Sequence, residues 1–280
     1  RHKTCSFNLY VAAMLAHALA PIAEVLGESS RAREYRRLSA SILAAVVHRF
    51  WDPQRKLFTA NLPWAAEEKS TRLCDRSLAT SILFDQCPGG DVQAALTALA
   101  ECPAEMGLSY PCNAGWRYWA LCKLGRAGVV IQDLRQRWAV MPSVTLNNTL
   151  QENWTVRSDS TAQWSHSALA PLYVLFMDIA GIRATAPGFT RCQIRPQLGN
   201  LGQLSLTAQT VLGPIPFAAR AERDGHEIRV TLPAGCEGEI LVPLSSSVPL
   251  RELTPPHPHG LKRYRLEPGQ TATFWTSTSK

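Results

Sequence analysis

Apolar residues recur at three- and four-residue steps through the first two thirds of the chain and at steps of two in the last third. Phe7, Val11, Met14, Leu15, Ala18, Leu19 and Ile22 mark one face of a helix that Gly27 can close. Pro21 lies inside this pattern and predicts a kink or an early end. A second helix is expected from an N-cap at Ser29 or Ser30. It buries Tyr35, Leu38, Ile42, Val46 and Phe50, and it stops before Asp52-Pro53. Further helical periods run at about 72–86, 91–101, 114–124, 128–139 and 165–181, with no convincing strand among the seven helices.

Past Pro187-Gly188-Phe189 the period becomes two. Ile215, Phe217, Ala219 and Ala221 alternate, as do Ile228, Val230 and Leu232, with Asp224-Gly225 between them as a type I′ hairpin signal. Short strands at about 237–242, 261–267 and 270–276 complete the pattern of an antiparallel sandwich. The texture therefore predicts two domains, a helical one over 1–188 and an antiparallel β-sandwich over 189–280.

Two stretches of the helical part lack any period, Asp52 to Ser70 and Val140 to Ser165. Long ordered loops on a rigid scaffold are where function concentrates. Seven of the eight tryptophans precede residue 165, and Trp64, Trp154 and Trp164 fall in these loops.

Composition narrows the classes. At 280 residues, 46% hydrophobic and 18% charged, the chain can bury a core. The net charge of +7 is spread, with 19 Lys+Arg against 15 Asp+Glu over 1–188 and 10 against 7 over 189–280. That argues against nucleic acid as a partner. Arg31, Arg33, Arg36 and Arg37 alternate with acidic neighbours, as on a solvated helix face. No run of 18 apolar residues is found. The longest candidate, 169–182, is broken by Pro171 and Asp178, so no membrane segment is expected. The eight cysteines show neither CxxC nor zinc spacing and read as reduced thiols of a cytoplasmic protein. The chain opens Arg-His-Lys without Met or an apolar leader, which suggests an upstream part of the same polypeptide.

Glu152 is the leading acid–base candidate. It follows Asn147, Asn148 and Thr149 and precedes Trp154, a mixture of amides, carboxylate and indole suited to a sugar. His166, between Ser165 and Ser167 at the expected start of a helix, can bond a hydroxyl or orient a carboxylate. His257 and His259 are too few for a metal, Cys112 has no local histidine, and no phosphate-binding or GxSxG motif occurs, so no cofactor is expected. Asn147 and Asn153 match glycosylation sequons but fall inside the candidate site.

The run Thr149-Leu150-Gln151-Glu152-Asn153-Trp154 is similar to the Thr-x-x-Glu-x-Trp segment of α-L-rhamnosidases of the glycoside hydrolase 78 type. The later Ser165-His166-Ser167, Ala180-Gly181-Ile182, Pro187-Gly188-Phe189 and Ile194-Arg195-Pro196-Gln197 resemble the same family's junction with its β-domain. The resemblance implies a partial (α/α)6 six-hairpin barrel followed by a β-sandwich, and inverting hydrolysis of terminal rhamnosides. It implies Glu152 as general base and His166 as a substrate-binding residue; Trp154, Trp164 and Trp116 are read separately as candidate aromatic contacts to a sugar. The family's general acid lies in an acidic motif early in the barrel, which this sequence lacks. Alternatives are a related (α/α)6 hydrolase of another terminal sugar, or a non-catalytic carbohydrate-binding or scaffold protein.

Overall fold

The computed structural model describes residues 4–60, 72–156, 161–257 and 260–277. Trp64, His259 and the side chain of His257 lie outside them. The chain divides into two compact units, one of residues 1–126 and 141–170, the other of 127–140 and 171–280. The period change near 188 therefore falls inside the second unit, because the helical segments 127–140 and 171–179 group with the strands.

In the first unit, α1 (Thr4–Val25) is continuous through Pro21. A π turn at Leu15–Leu19, closed by Ala20 N–H donating to the Leu15 carbonyl, precedes the proline. This wider turn accommodates the ring and the missing N–H, where a break was expected. No charged residue occurs between Lys3 and Glu24, so α1 is long and apolar enough to cross a membrane. That corrects the choice of 169–182 as the longest apolar candidate. The inner face of α1, Cys5, Leu9, Ala12 and Ala13, is buried. The Ser39 hydroxyl of α2 (Ser29–Phe50) donates to the Ala12 carbonyl at 2.7 Å.

Short strands interrupt the helices, where none was expected. β1 (Trp51–Asp52) pairs antiparallel with β2 (Leu57–Phe58), and β3 (Leu73–Cys74) pairs parallel with β4 (Met106–Gly107). Two residues per strand carry too little pattern to read. β3 leads directly into α3 (Asp75–Leu83), followed by α4 (Gln93–Glu101) and α5 (Pro111–Lys123). Buried Arg117 on α5 donates from Nε to the Leu99 carbonyl of α4 at 2.7 Å. Lys123 caps the end of α3 by donating to the Ile82 and Leu83 carbonyls at 2.8 and 3.0 Å, a favourable cation at a helix C-terminus.

The second unit begins with α6 (Ala127–Asp133), which runs into a π turn at Leu134–Trp138. After the short α7 (Pro142–Asn147) of the first unit comes α8 (Ala170–Val174), which also ends in a π turn, Leu175–Ile179. Then follow β5 (Ile182–Ala184), β6 (Arg191–Ile194), β7 (Gln203–Thr210), β8 (Gly213–Glu222), β9 (Gly225–Thr231), β10 (Glu237–Pro243), β11 (Glu252–His257), β12 (Leu261–Leu266) and β13 (Thr271–Ser277). One sheet has the order β11-β12-β10-β6-β5 and the other β13-β9-β8-β7. All pairings are antiparallel except β6 with β10. Ile215, Phe217, Ile228, Val230 and Phe274 of one sheet and Cys192, Ile194, Ile240 and Leu266 of the other are buried, as the alternation predicts for a sandwich.

Two glycines explain sequence signals here. Gly181 has φ +75°, and a Cβ on it would lie 2.0 Å from the Arg195 carbonyl oxygen, so the Ala180-Gly181-Ile182 turn admits no side chain. Gly225 serves packing and not the turn. It pairs with Glu222 across a loop of Arg223 and Asp224, neither of which has positive φ, so the hairpin is not type I′. A Cβ on Gly225 would meet the Thr276 carbonyl oxygen at 2.1 Å.

Candidate functional site

The site grows from the parallel pairing of β3 and β4. With Cys74 opposite Gly107, Asp75 comes beside Ser109. The Ser109 backbone N–H donates to one Asp75 carboxylate oxygen and its hydroxyl to the other, both at 2.8 Å. Asp75 is buried, and burial pushes its carboxyl above the usual 3.8 despite these donors. The Ser109 carbonyl in turn accepts from Trp154 Nε1 at 2.8 Å. One chain of contacts thus runs from the start of α3 to the loop that carries Glu152.

That loop is held on both sides of Glu152. Gln151 is fully buried; its Oε1 accepts from Ser143 N–H at 3.3 Å, and its Nε2 donates to the Asn153 and Trp154 carbonyls at 2.8 and 3.2 Å. Residues 149–152 and 162–165 then lie side by side. Ser165 N–H donates to the Leu150 carbonyl, and Glu152 N–H to the Ala162 carbonyl, each at 2.9 Å. The Asn147 amide donates to buried Gln163. Gln151 and Gln163 face inward, whereas Glu152 and Trp164, 62% exposed, face solvent. The result is a carboxylate on a fixed backbone with an open indole on the neighbouring segment.

The remaining candidates are placed as follows. His166 is exposed and sits in a bend, not at a helix start, because α8 begins only at Ala170. No hydrogen bond or ion pair between described residues engages the Glu152 or His166 side chain. Trp116 lies on α5 in an aromatic group with Tyr10 at 5.4 Å, Trp119 at 5.7 Å and Phe84 at 6.2 Å. The Arg76 guanidinium is 6.0 Å from the Trp116 ring. Since Arg76 follows Asp75, Trp116 and Trp154 belong to one connected set. Asp75, Arg76, Ser109 and Gln151 were not found by sequence reasoning. Asp75 and Ser109 are 34 residues apart, and a two-residue strand pair joins them.

Among the described residues no group of three His, Cys, Asp or Glu could hold a metal ion. All eight cysteines are free. Burial pushes the Cys5 thiol up to about 12 and raises Cys192 as well.

Two family models match parts of the chain. Residues 1–101 match the mannosylglycerate hydrolase MGH1-like glycoside hydrolase domain, and residues 181–252 the bacterial alpha-L-rhamnosidase C-terminal domain. No curated protein matches by sequence. The fold matches solved α-L-rhamnosidases. That from Dictyoglumus thermophilum aligns with TM-score 0.73 and 17% identity over 96% of this chain and 31% of its own. That from Streptomyces avermitilis, complexed with L-rhamnose, gives 0.74 and 17% over 95% and 26%. The enzyme from Aspergillus terreus gives 0.70 and 18% over 94% and 29%. The chain thus spans less than a third of the length of each. The resemblance read from the sequence is supported: part of the chain matches a glycoside hydrolase domain model, another part a rhamnosidase C-terminal domain model, and the fold is similar to segments of solved α-L-rhamnosidases.

Proposed function

We propose that this chain is the part of an inverting glycosidase that carries the general base, and that the whole enzyme removes terminal α-L-rhamnosyl residues. The observation behind it is exposed Glu152 on a backbone fixed by buried Gln151 and by Trp154, within the rhamnosidase fold. Inversion needs two carboxyls about 6.5–9.5 Å apart, one to protonate the leaving oxygen and one to activate water on the opposite face. Glu152 takes the proton from water. Trp154, Trp164 and Trp116 offer apolar faces to the sugar, and His166 bonds a hydroxyl. Asp75 is held by Ser109 and is not assigned as the acid. In this reading the acid comes from an upstream segment of a longer polypeptide, and residues 1–188 and 189–280 are the end of its barrel and its β-domain.

Proton NMR of an aryl α-L-rhamnoside hydrolysed by the full-length polypeptide tests this. β-L-rhamnose as the first product is expected, and α-L-rhamnose first would refute inversion. A second reading, hydrolysis of a different terminal sugar, is favoured by the match of residues 1–101 to a domain named for mannosylglycerate hydrolase. Turnover of an aryl mannoside in preference to the rhamnoside would select it.

A further inference from the structure

Among the described residues Arg76 has no partner for its charge. Its Nε is buried and bonds to nothing among the described residues. Its one recorded side-chain contact is the Trp116 face, 6.0 Å from the guanidinium. The adjacent carboxylate, Asp75, has each oxygen bonded to Ser109. A buried polar donor left unmade, on a group whose charge is also unmet, is costly and calls for an explanation. The residue is only partly buried, and its terminal nitrogens are not among the enclosed atoms. An anion can therefore meet the two terminal nitrogens end-on from solvent; it supplies the missing counter-charge, while Nε stays enclosed. A planar carboxylate matches two parallel N–H groups, which a hydroxyl cannot do. Beside the fork, Tyr10 meets Trp116 edge-on at 5.4 Å and is 38% exposed. The cation is thus bordered by a partly open aromatic wall.

We propose that Arg76, Trp116 and Tyr10 form a subsite for a uronic acid residue of the saccharide, its carboxylate on the Arg76 fork and its ring along the aromatic wall. This deepens the carbohydrate reading of the site and rests on it. It names an acidic sugar that the chain recognises in addition to the sugar it releases.

The test is ligand-observed NMR and tryptophan fluorescence titration of the intact protein with D-glucuronate, D-glucose and acetate. Glucuronate should bind about tenfold or more tighter than glucose, as expected for a charge-assisted pair, and tighter than acetate, which lacks the ring. Arg76→Gln should bring glucuronate to the level of glucose, with the fold checked by circular dichroism. Arg76→Lys, which keeps the charge and loses the fork, should keep part of the preference. Glu152→Gln should leave the preference unchanged, so loss of hydrolysis and loss of uronate binding are read separately. Equal binding of glucuronate and glucose, acetate binding as well as glucuronate, or a preference that survives Arg76→Gln would each overturn the subsite.

Discussion

Asp75 shows at the scale of one residue how position outweighs type. Its carboxyl is raised by burial, while two Ser109 donors favour the ionised form and only partly offset that effect. A carboxyl raised in the folded state adds stability that is fully present below the unfolded value and lost as pH rises through the folded one. The stability of the wild type relative to Asp75→Asn should therefore fall as pH rises upward from about 4, and urea unfolding at several pH values measures it. Ser109→Ala removes a hydrogen bond to a charged group, worth about 1.5–3 kcal/mol. It should also loosen the Trp154 loop, read as a red shift of tryptophan emission. The sequence pointed to Glu152 and Trp154 because they stand two residues apart in a recognisable string. It could not point to Asp75 or Ser109, whose meaning comes from a contact between distant segments.

At the scale of elements, periodicity carried the reading furthest where elements are long. α5 and strands β8, β9, β10, β12 and β13 follow their patterns, because many apolar positions vote for one face; β11 was not expected, and α2 keeps its expected bounds but leaves Leu38 44% exposed where burial was expected. It failed where backbone chemistry decides. Pro21 suggested a break, yet a π turn absorbs it; Asp224-Gly225 suggested a type I′ turn, yet Gly225 is kept small by β13. Gly181 makes the sharpest element-level prediction. A side chain there strikes the Arg195 backbone at a positive φ, so Gly181→Ala should destabilise the second unit by several kcal/mol, on the order of the larger single-site effects known. A drop of several degrees in its thermal midpoint is the expected result.

For the molecule as a whole, the outer face of α1 matters most. Phe7, Val11, Met14 and Leu15 lie on the helix face read from the sequence, a face that a partial barrel would leave uncovered. Phe7 is 65% exposed and Val25 88%, whereas Leu15 is 6% exposed because it turns into the unit. Each large apolar side chain left in water forgoes about 1.5–3 kcal/mol. The 280 residues alone should therefore self-associate, and sedimentation velocity of the isolated chain checks it. A clean monomer would mean that this face is tolerated in water.

The central claim is that Glu152 activates the attacking water, and the measurement that meets it most directly is turnover of an aryl α-L-rhamnoside by Glu152→Gln in the full-length polypeptide. Glutamine keeps the shape of the side chain and its exposed place between Gln151 and Trp154 but cannot take the proton. The predicted result is a native circular dichroism spectrum with kcat lowered by about 10²–10⁴-fold, the usual contribution of general-base assistance. Near wild-type kcat in a folded Glu152→Gln variant would contradict the claim and remove Glu152 from the chemistry.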